Sequence, residues 1–149
     1  MRLHLLMLRI QFPPPNFKIK EEDDREFIFD EGRKKWVRLT PEEWVRQNFL
    51  QYLVQVKKVP LSLIAIEKEV QLADVKKRCD IVVYKEHKPW MIVECKEMNI
   101  DLKVPVLEQI LRYNIGMPVK YLVLTNGNKT FAFELSADGL IEINDLPAF

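Results

Sequence analysis

Asp80, Glu94 and Lys96 are ionisable residues set into runs that otherwise have strand character, RCDIVVY (78–84) and WMIVECKE (90–97). The five residues between the runs, KEHKP, suit a hairpin symmetric about His87, in which facing residues have numbers that sum to 174. That register sets Asp80 across from Glu94, Val82 across from Ile92 and Tyr84 across from Trp90. Lys96 continues the same side by the period of two. Opposed carboxylates with Cβ atoms about 5 Å apart repel by something on the order of 3 kcal/mol at an effective dielectric near 20. Lys96, a raised carboxyl pKa or a bound divalent cation with oxygen ligands would relieve the repulsion. Two acids and a lysine form a minimal set for metal-assisted phosphodiester hydrolysis: the metal neutralises phosphate charge and binds the attacking water, while the lysine positions that water. The plainer alternative is a structural ion pair of Glu94 or Asp80 with Lys96 or Arg78.

The elements around this hairpin are legible from caps and periodicity. Thr40-Pro41-Glu42-Glu43 starts a helix, with Thr40 at the N-cap, Pro41 at the first helical position and Glu43 placed for a capping box. Pro60 limits the helix to about Lys58. Val45, Phe49, Tyr52, Leu53 and Val56 form its buried stripe; Glu42 falls at the stripe's edge and Glu43 well outside it. LSLIAIEKEVQL (61–72) reads as a further strand, and KVPVLEQILRYNIG (103–116) as a second helix closed by Gly116 and Pro118. VKYLVLTNGNKTFAFEL reads as a strand, an Asn126-Gly127 turn and a return strand. Residues 17–39 alternate apolar and charged side chains as in a β-meander. RCDIVVY and WMIVECKE are apolar on both faces and belong in a sheet covered on both sides. The order predicts an α/β sandwich.

At 149 residues the chain is the size of one domain. Its net charge of +1 gives no overall field toward polyanions or anionic membranes, so such binding must come from local clusters. The clusters are Arg33-Lys34-Lys35 with Arg38, Lys57-Lys58 and Lys76-Lys77-Arg78, for which solvated charge is the alternative. Two cysteines without a secretory pattern point to a reducing cytoplasm. LHLLMLRI is too short for a membrane span and reads as a leader strand or an upstream start, with Met7 an alternative initiator to Met1. His4 and His87 stand near a terminus and in a turn, poor places for a ligand or base.

Asp80 opening one strand and Glu94-Cys95-Lys96 closing the next resemble the PD-(D/E)xK nuclease core, and Gln109-Ile110-Leu111-Arg112-Tyr113 resembles the QxxxY motif of its RecB-type branch. TPEEWVRQ, KRCDIVVY, IVECKE, EQILRYN and YLVLTNG, in that order, resemble the N-terminal nuclease domain of type I restriction enzyme R subunits and its small stand-alone relatives. The resemblance covers residues 40–135, with the meander at 17–39 shared by the stand-alone group. It implies a restriction-endonuclease-like fold, a central mixed four-stranded sheet between helices, and a deoxyribonuclease that uses Mg²⁺, with Mn²⁺ able to substitute. Carried over residue by residue, it makes Asp80, Glu94 and the Cys95 backbone carbonyl metal ligands and Lys96 the water-positioning residue. Gln109, Tyr113 and Arg46 would line the cleft or contact the DNA. A glutamate from the first helix also belongs to the pattern; Glu42, with Arg46 one turn on, is the choice, because capping occupies Glu43. Cys79 stands where the motif usually has proline. In the hairpin register it faces Cys95 on the far side, as two reduced core thiols.

R subunits couple cleavage to an ATP-driven motor, and this chain has no phosphate-binding loop: GNKT (127–130) lacks the preceding glycine and spacing. The expected partners are therefore DNA and either a second copy or a separate motor or specificity subunit, with no membrane and no ATP. The competing class is a catalytically silent DNA- or protein-binding module on the same fold.

Overall fold

The computed structural model describes residues 6–72, 75–114 and 119–149. It is an α/β structure with two sheets. The large sheet contains β1 (Met7–Leu8), β5 (Ile64–Leu72), β6 (Val75–Lys85), β7 (Lys88–Cys95), β8 (Tyr121–Thr125), β9 (Thr130–Ser136) and β10 (Gly139–Ile143). Along it the order is β1-β9-β8-β7-β6-β5, with β10 also on β9. It is mixed, because β7 and β8 run parallel while the other neighbours are antiparallel. A parallel pair needs a crossover, and α2 (Val104–Asn114) provides it. The second sheet is the expected meander of β2 (Ile19–Glu22), β3 (Arg25–Asp30) and β4 (Lys35–Arg38). The large sheet has seven strands among the described residues, rather than the four that the resemblance implies: the five strand runs read from the sequence all join it as β5–β9. β1 and β10 extend its edge on β9, and β10 follows a tight turn that ends at Gly139 with φ +115°.

α1 (Pro41–Gln51) starts as its sequence dictates: Thr40 is extended and its hydroxyl accepts the Glu43 N–H at 3.1 Å. The helix continues without a break into a π-helical turn over Tyr52–Val56. Val45, Phe49, Tyr52 and Leu53 are buried as expected, but Val56 is exposed, since widening the last turn rotates it out of the stripe. The Gly116 and Pro118 helix stop lies outside the described residues, as does His4.

The two helices cover opposite faces of the sheet. Val45, Phe49 and Leu53 of α1 pack with Ile64, Ile66, Ile81, Val83, Met91, Val93 and Cys95. Leu107 and Leu111 of α2 pack with Cys79, Val82, Ile92, Leu122, Leu124 and Phe133. Both faces of the central strands are thus apolar, which explains their continuous apolar runs.

The hairpin between β6 and β7 differs from the symmetric one. Ile81↔Val93, Val82↔Ile92 and Val83↔Met91 keep the expected register, but it shifts by one residue between Val83 and Tyr84. Tyr84 therefore faces Pro89, and the connection tightens to Glu86-His87, both with positive φ. Two consecutive left-handed residues match the twist of a two-residue hairpin, so the bulge and the turn compensate each other. A second irregularity is at Asp80. The period of two would group Cys79 with Ile81, yet Cys79 packs with Val82 on the α2 face and Ile81 packs on the α1 face. The pleat is broken at Asp80, so Cys79 and Cys95 do not face each other. Both are free, buried thiols on opposite faces, and burial raises each thiol's pKa, Cys79 to about 11.

Candidate active site

The β6–β7 ladder stops at Ile81↔Val93, and beyond it the Asp80 side chain takes over. Its Oδ2 accepts the Cys95 N–H at 2.7 Å, satisfying a donor that the ladder leaves unpaired. Asp80 Oδ1 lies 3.4 Å from Arg46 Nη1. Glu94 Oε1 accepts from Lys77 Nζ at 2.7 Å. The carboxyls of Asp80 and Glu94 are hydrogen-bonded to each other, which lowers Asp80 and raises Glu94. Burial is the largest influence on both and leaves both raised, Glu94 to about 7 despite the opposing pull of Lys77. The pair therefore holds a proton near neutral pH, the response of two desolvated acids at one place.

Glu42 is exposed at the start of α1. Partial burial and the nearby Asp80 charge raise its pKa against the opposing pull of Lys96 and Arg46, so Glu42 shares its space with Asp80 and Lys96. Lys96 is half-buried; its N–H donates to the Thr125 carbonyl at 2.9 Å, extending β7 alongside β8. The following loop is held by Asn126, whose amide donates to the Ile100 carbonyl at 2.8 Å, while its Oδ1 accepts the N–H groups of Asn128 and Lys129. Gln109 is exposed on α2, and among the described residues nothing joins it to the acid pair. The Tyr113 side chain lies outside the described residues.

Three residues at the site were not among the expected ones or have another role. Arg46, expected to face DNA, is 6% exposed and gripped by carboxylates. It donates to Glu43 from Nε at 2.9 Å and Nη2 at 2.5 Å, and to Glu67 from Nη1 at 2.6 Å. Burial alone would lower its pKa; the hydrogen bonds to Glu43 and Glu67 outweigh that and fix the positive charge. Glu43 is buried instead of lying outside the stripe. Its backbone completes the cap, but its side chain takes Arg46, Arg33 (2.8 Å) and Gln47 (3.1 Å), and these donors overcome desolvation to lower its pKa. Lys77, part of an apparently solvated basic run, is buried against Glu94, while Lys76 and Arg78 on either side are exposed.

Glu67 belongs to no motif of the sequence. Ile66↔Ile81 and Lys68↔Cys79 flank it, so it stands across from Asp80 on β5, and its φ is +55°. A non-glycine residue in that region inside a strand is strained. Its carboxylate binds Arg46, the main cause of its lowered pKa, and lies 3.5 Å from Arg78. The one available signal was the run Glu67-Lys68-Glu69, where the alternation of β5 fails.

Among the described residues, no three His, Cys, Asp or Glu side chains converge as a metal cage. The acid donors are the Asp80–Glu94 pair. That pair fits a divalent cation in its chemistry: hard oxygen donors, desolvated, already requiring a positive partner in the form of a proton.

The family description "Type I restriction enzyme R protein N terminus (HSDR_N)" matches residues 41–147, from the first residue of α1 past the end of β10. The chain belongs to that family. The match spans every element that carries Glu42, Arg46, Glu67, Asp80, Glu94 and Lys96, while the meander lies before it. A search of curated proteins found no match.

Proposed function

We propose that this R-protein N-terminal domain hydrolyses phosphodiester bonds in DNA with a divalent metal, Mg²⁺ or Mn²⁺, as a nuclease of the PD-(D/E)xK type on a restriction-endonuclease-like fold. The observation that carries the reading is the largely buried acid pair, with Asp80 fixed by the Cys95 N–H at 2.7 Å, Glu94 on Lys77 at 2.7 Å, burial raising the pKa of both, and the charges of Asp80 and Lys96 felt at Glu42. Asp80, Glu94 and the Cys95 carbonyl would hold the cation. When bound, it would neutralise phosphate charge and lower the pKa of a water molecule. The Cys95 N–H fixes the Asp80 carboxylate, and Arg46, itself held by Glu43 and Glu67, supports its other oxygen. Lys96 orients the attacking water and Glu42 helps to take its proton. Gln109 and Tyr113 contact the DNA backbone. A cytoplasmic setting in restriction or DNA processing follows from this role, with a second copy or a separate motor and specificity subunit as partner.

One observation favours the silent-module reading: each acid already has a basic neighbour, Lys77 on Glu94 and Arg46 near Asp80. A plasmid-nicking assay with Mg²⁺ or Mn²⁺ separates the two. Cleavage by the wild type, lost in Asp80→Asn and Lys96→Ala, supports the nuclease. Salt-sensitive DNA binding that survives both substitutions, without cleavage, supports the module.

A further inference from the structure

The meander carries a surface that the acid pair does not use. Lys20 pairs with Phe27 and Glu22 with Arg25 across β2 and β3; Phe27 pairs with Arg38 and Phe29 with Trp36 across β3 and β4. Paired residues point to the same side of a sheet, so these seven side chains share one face. The other face contains Ile28 and Asp30, both fully buried, which makes the aromatic face the outward one. Trp36 is 39% exposed there and meets Phe29 edge-on at 5.5 Å between ring centres. Lys20 Nζ sits 4.6 Å from the centre of the Trp36 ring, and Lys18 Nζ 5.7 Å from that of Phe29. A shallow groove of about 500 Å³ lies against Lys20, Arg25, Phe27 and Trp36, with Glu22 and Asp23 at its end.

We infer that this face binds a single-stranded polynucleotide. Lys18, Lys20, Arg25 and Arg38 stand among three aromatic rings, opposed on the same face by Glu22, which pairs with Lys20 at 3.3 Å, and by Asp23 at the turn, so cations outnumber acids where the rings are. A partner that matches must offer anions and flat π-systems at short, alternating intervals. An unpaired nucleic-acid strand does so, with phosphates for the cations and bases to stack on Trp36, Phe29 and Phe27. Duplex hides its base faces and could use only the charges. An incoming phosphate draws Lys20 from above the indole and frees that ring for a base.

The meander is also tied to the helix that carries Glu42 and Arg46. Arg33, in the turn after β3, donates to Asp30 and, at 2.8 Å, to Glu43, which grips Arg46 beside Asp80. Asp30 lies on the buried face, so this link anchors the meander to α1 from behind the aromatic face. The binding itself does not rest on the nuclease reading.

The test is fluorescence anisotropy with the full chain in EDTA, using a labelled oligothymidylate and an oligouridylate of about 12 nucleotides, and a blunt duplex of the same length. The first two arms distinguish DNA from RNA as the strand. Wild type should bind single strands better than duplex, with tryptophan quenching. Trp36→Ala should weaken binding roughly tenfold and Trp36→Phe should largely restore it. Arg38→Ala should lower the salt slope by about one. Asp80→Asn should bind as wild type, so loss of cleavage and loss of strand binding are read separately. Duplex bound as tightly as single strands, or affinity indifferent to both Trp36→Ala and Phe29→Ala in variants with wild-type circular dichroism, would overturn the inference.

Discussion

Glu94 is the residue whose energetics can be checked most simply. Its carboxyl titrates near 7 when folded because it is buried and hydrogen-bonded to Asp80, against about 4.3 in an unfolded chain. The folded state therefore binds this proton more tightly. Its contribution favours folding at low pH and is lost as pH rises from about 4 through 7, by an amount on the order of 3 kcal/mol. In EDTA, the denaturation midpoint should accordingly fall across that window, and Glu94→Gln should flatten the fall. A midpoint that rises smoothly over the same range in both proteins would count against a shared proton. Arg46 makes the complementary prediction. Arg46→Ala leaves Glu43 buried without its main partner, and breaking such a buried pair costs about 3 to 5 kcal/mol. Chemical denaturation would register that loss. A solvent-facing DNA contact would show almost none, since Arg46 would then be an ordinary surface residue.

At the scale of elements, β5 and β6 bend the sheet's rules where the chemistry is proposed. Glu67 has positive φ directly across from Asp80, where the pleat of β6 breaks. Replacing Glu67 by Gly or Ala removes the same ion pair with Arg46, but only Gly tolerates that backbone without strain. Glu67→Ala should thus be less stable than Glu67→Gly by about 1 kcal/mol, the reverse of the usual order in a strand. Equal stabilities would mean that the left-handed conformation is not held in solution. Gly32 constrains the neighbouring turn differently: a Cβ there would come 2.9 Å from Ile66 Cγ1, so the β3–β4 turn can lie against β5 only because residue 32 has no side chain.

These same elements show what the chain's letters reveal. Thr40-Pro41 located the start of α1, and the apolar runs located β6 and β7 with their central register, because capping and burial act over a few residues. The break of β6 at Asp80, where the ladder to β7 has ended at Ile81↔Val93, was not legible, because the apolar run continues through it. Nor was Glu67, since its place beside Asp80 depends on the β5–β6 register, which no local pattern fixes. Arg46, Glu43 and Lys77 were misplaced because period and charge assign burial one residue at a time. Here three charged side chains are buried together, each made tolerable only by the others. Of the two edge strands on β9, β1 lies within LHLLMLRI, which reads as a leader strand, whereas β10 is too short and too evenly half-buried to show a period.

For the whole molecule, the match over residues 41–147 places the chain in the type I restriction enzyme R protein N-terminal family, and its mixed sheet, with seven strands among the described residues, is covered on both faces. No helix among the described residues is long and apolar enough to cross a membrane. The central claim is that Asp80 and Glu94 hold a proton that a catalytic cation replaces. Isothermal titration of Mg²⁺ or Mn²⁺ into the chain near pH 7, repeated in two buffers of different ionisation enthalpy, tests it directly. The account predicts saturable binding with release of up to about one proton per metal, visible as a buffer-dependent heat and abolished by Asp80→Asn. Absence of binding by the folded wild-type chain, or binding that Asp80→Asn leaves unchanged, would contradict it.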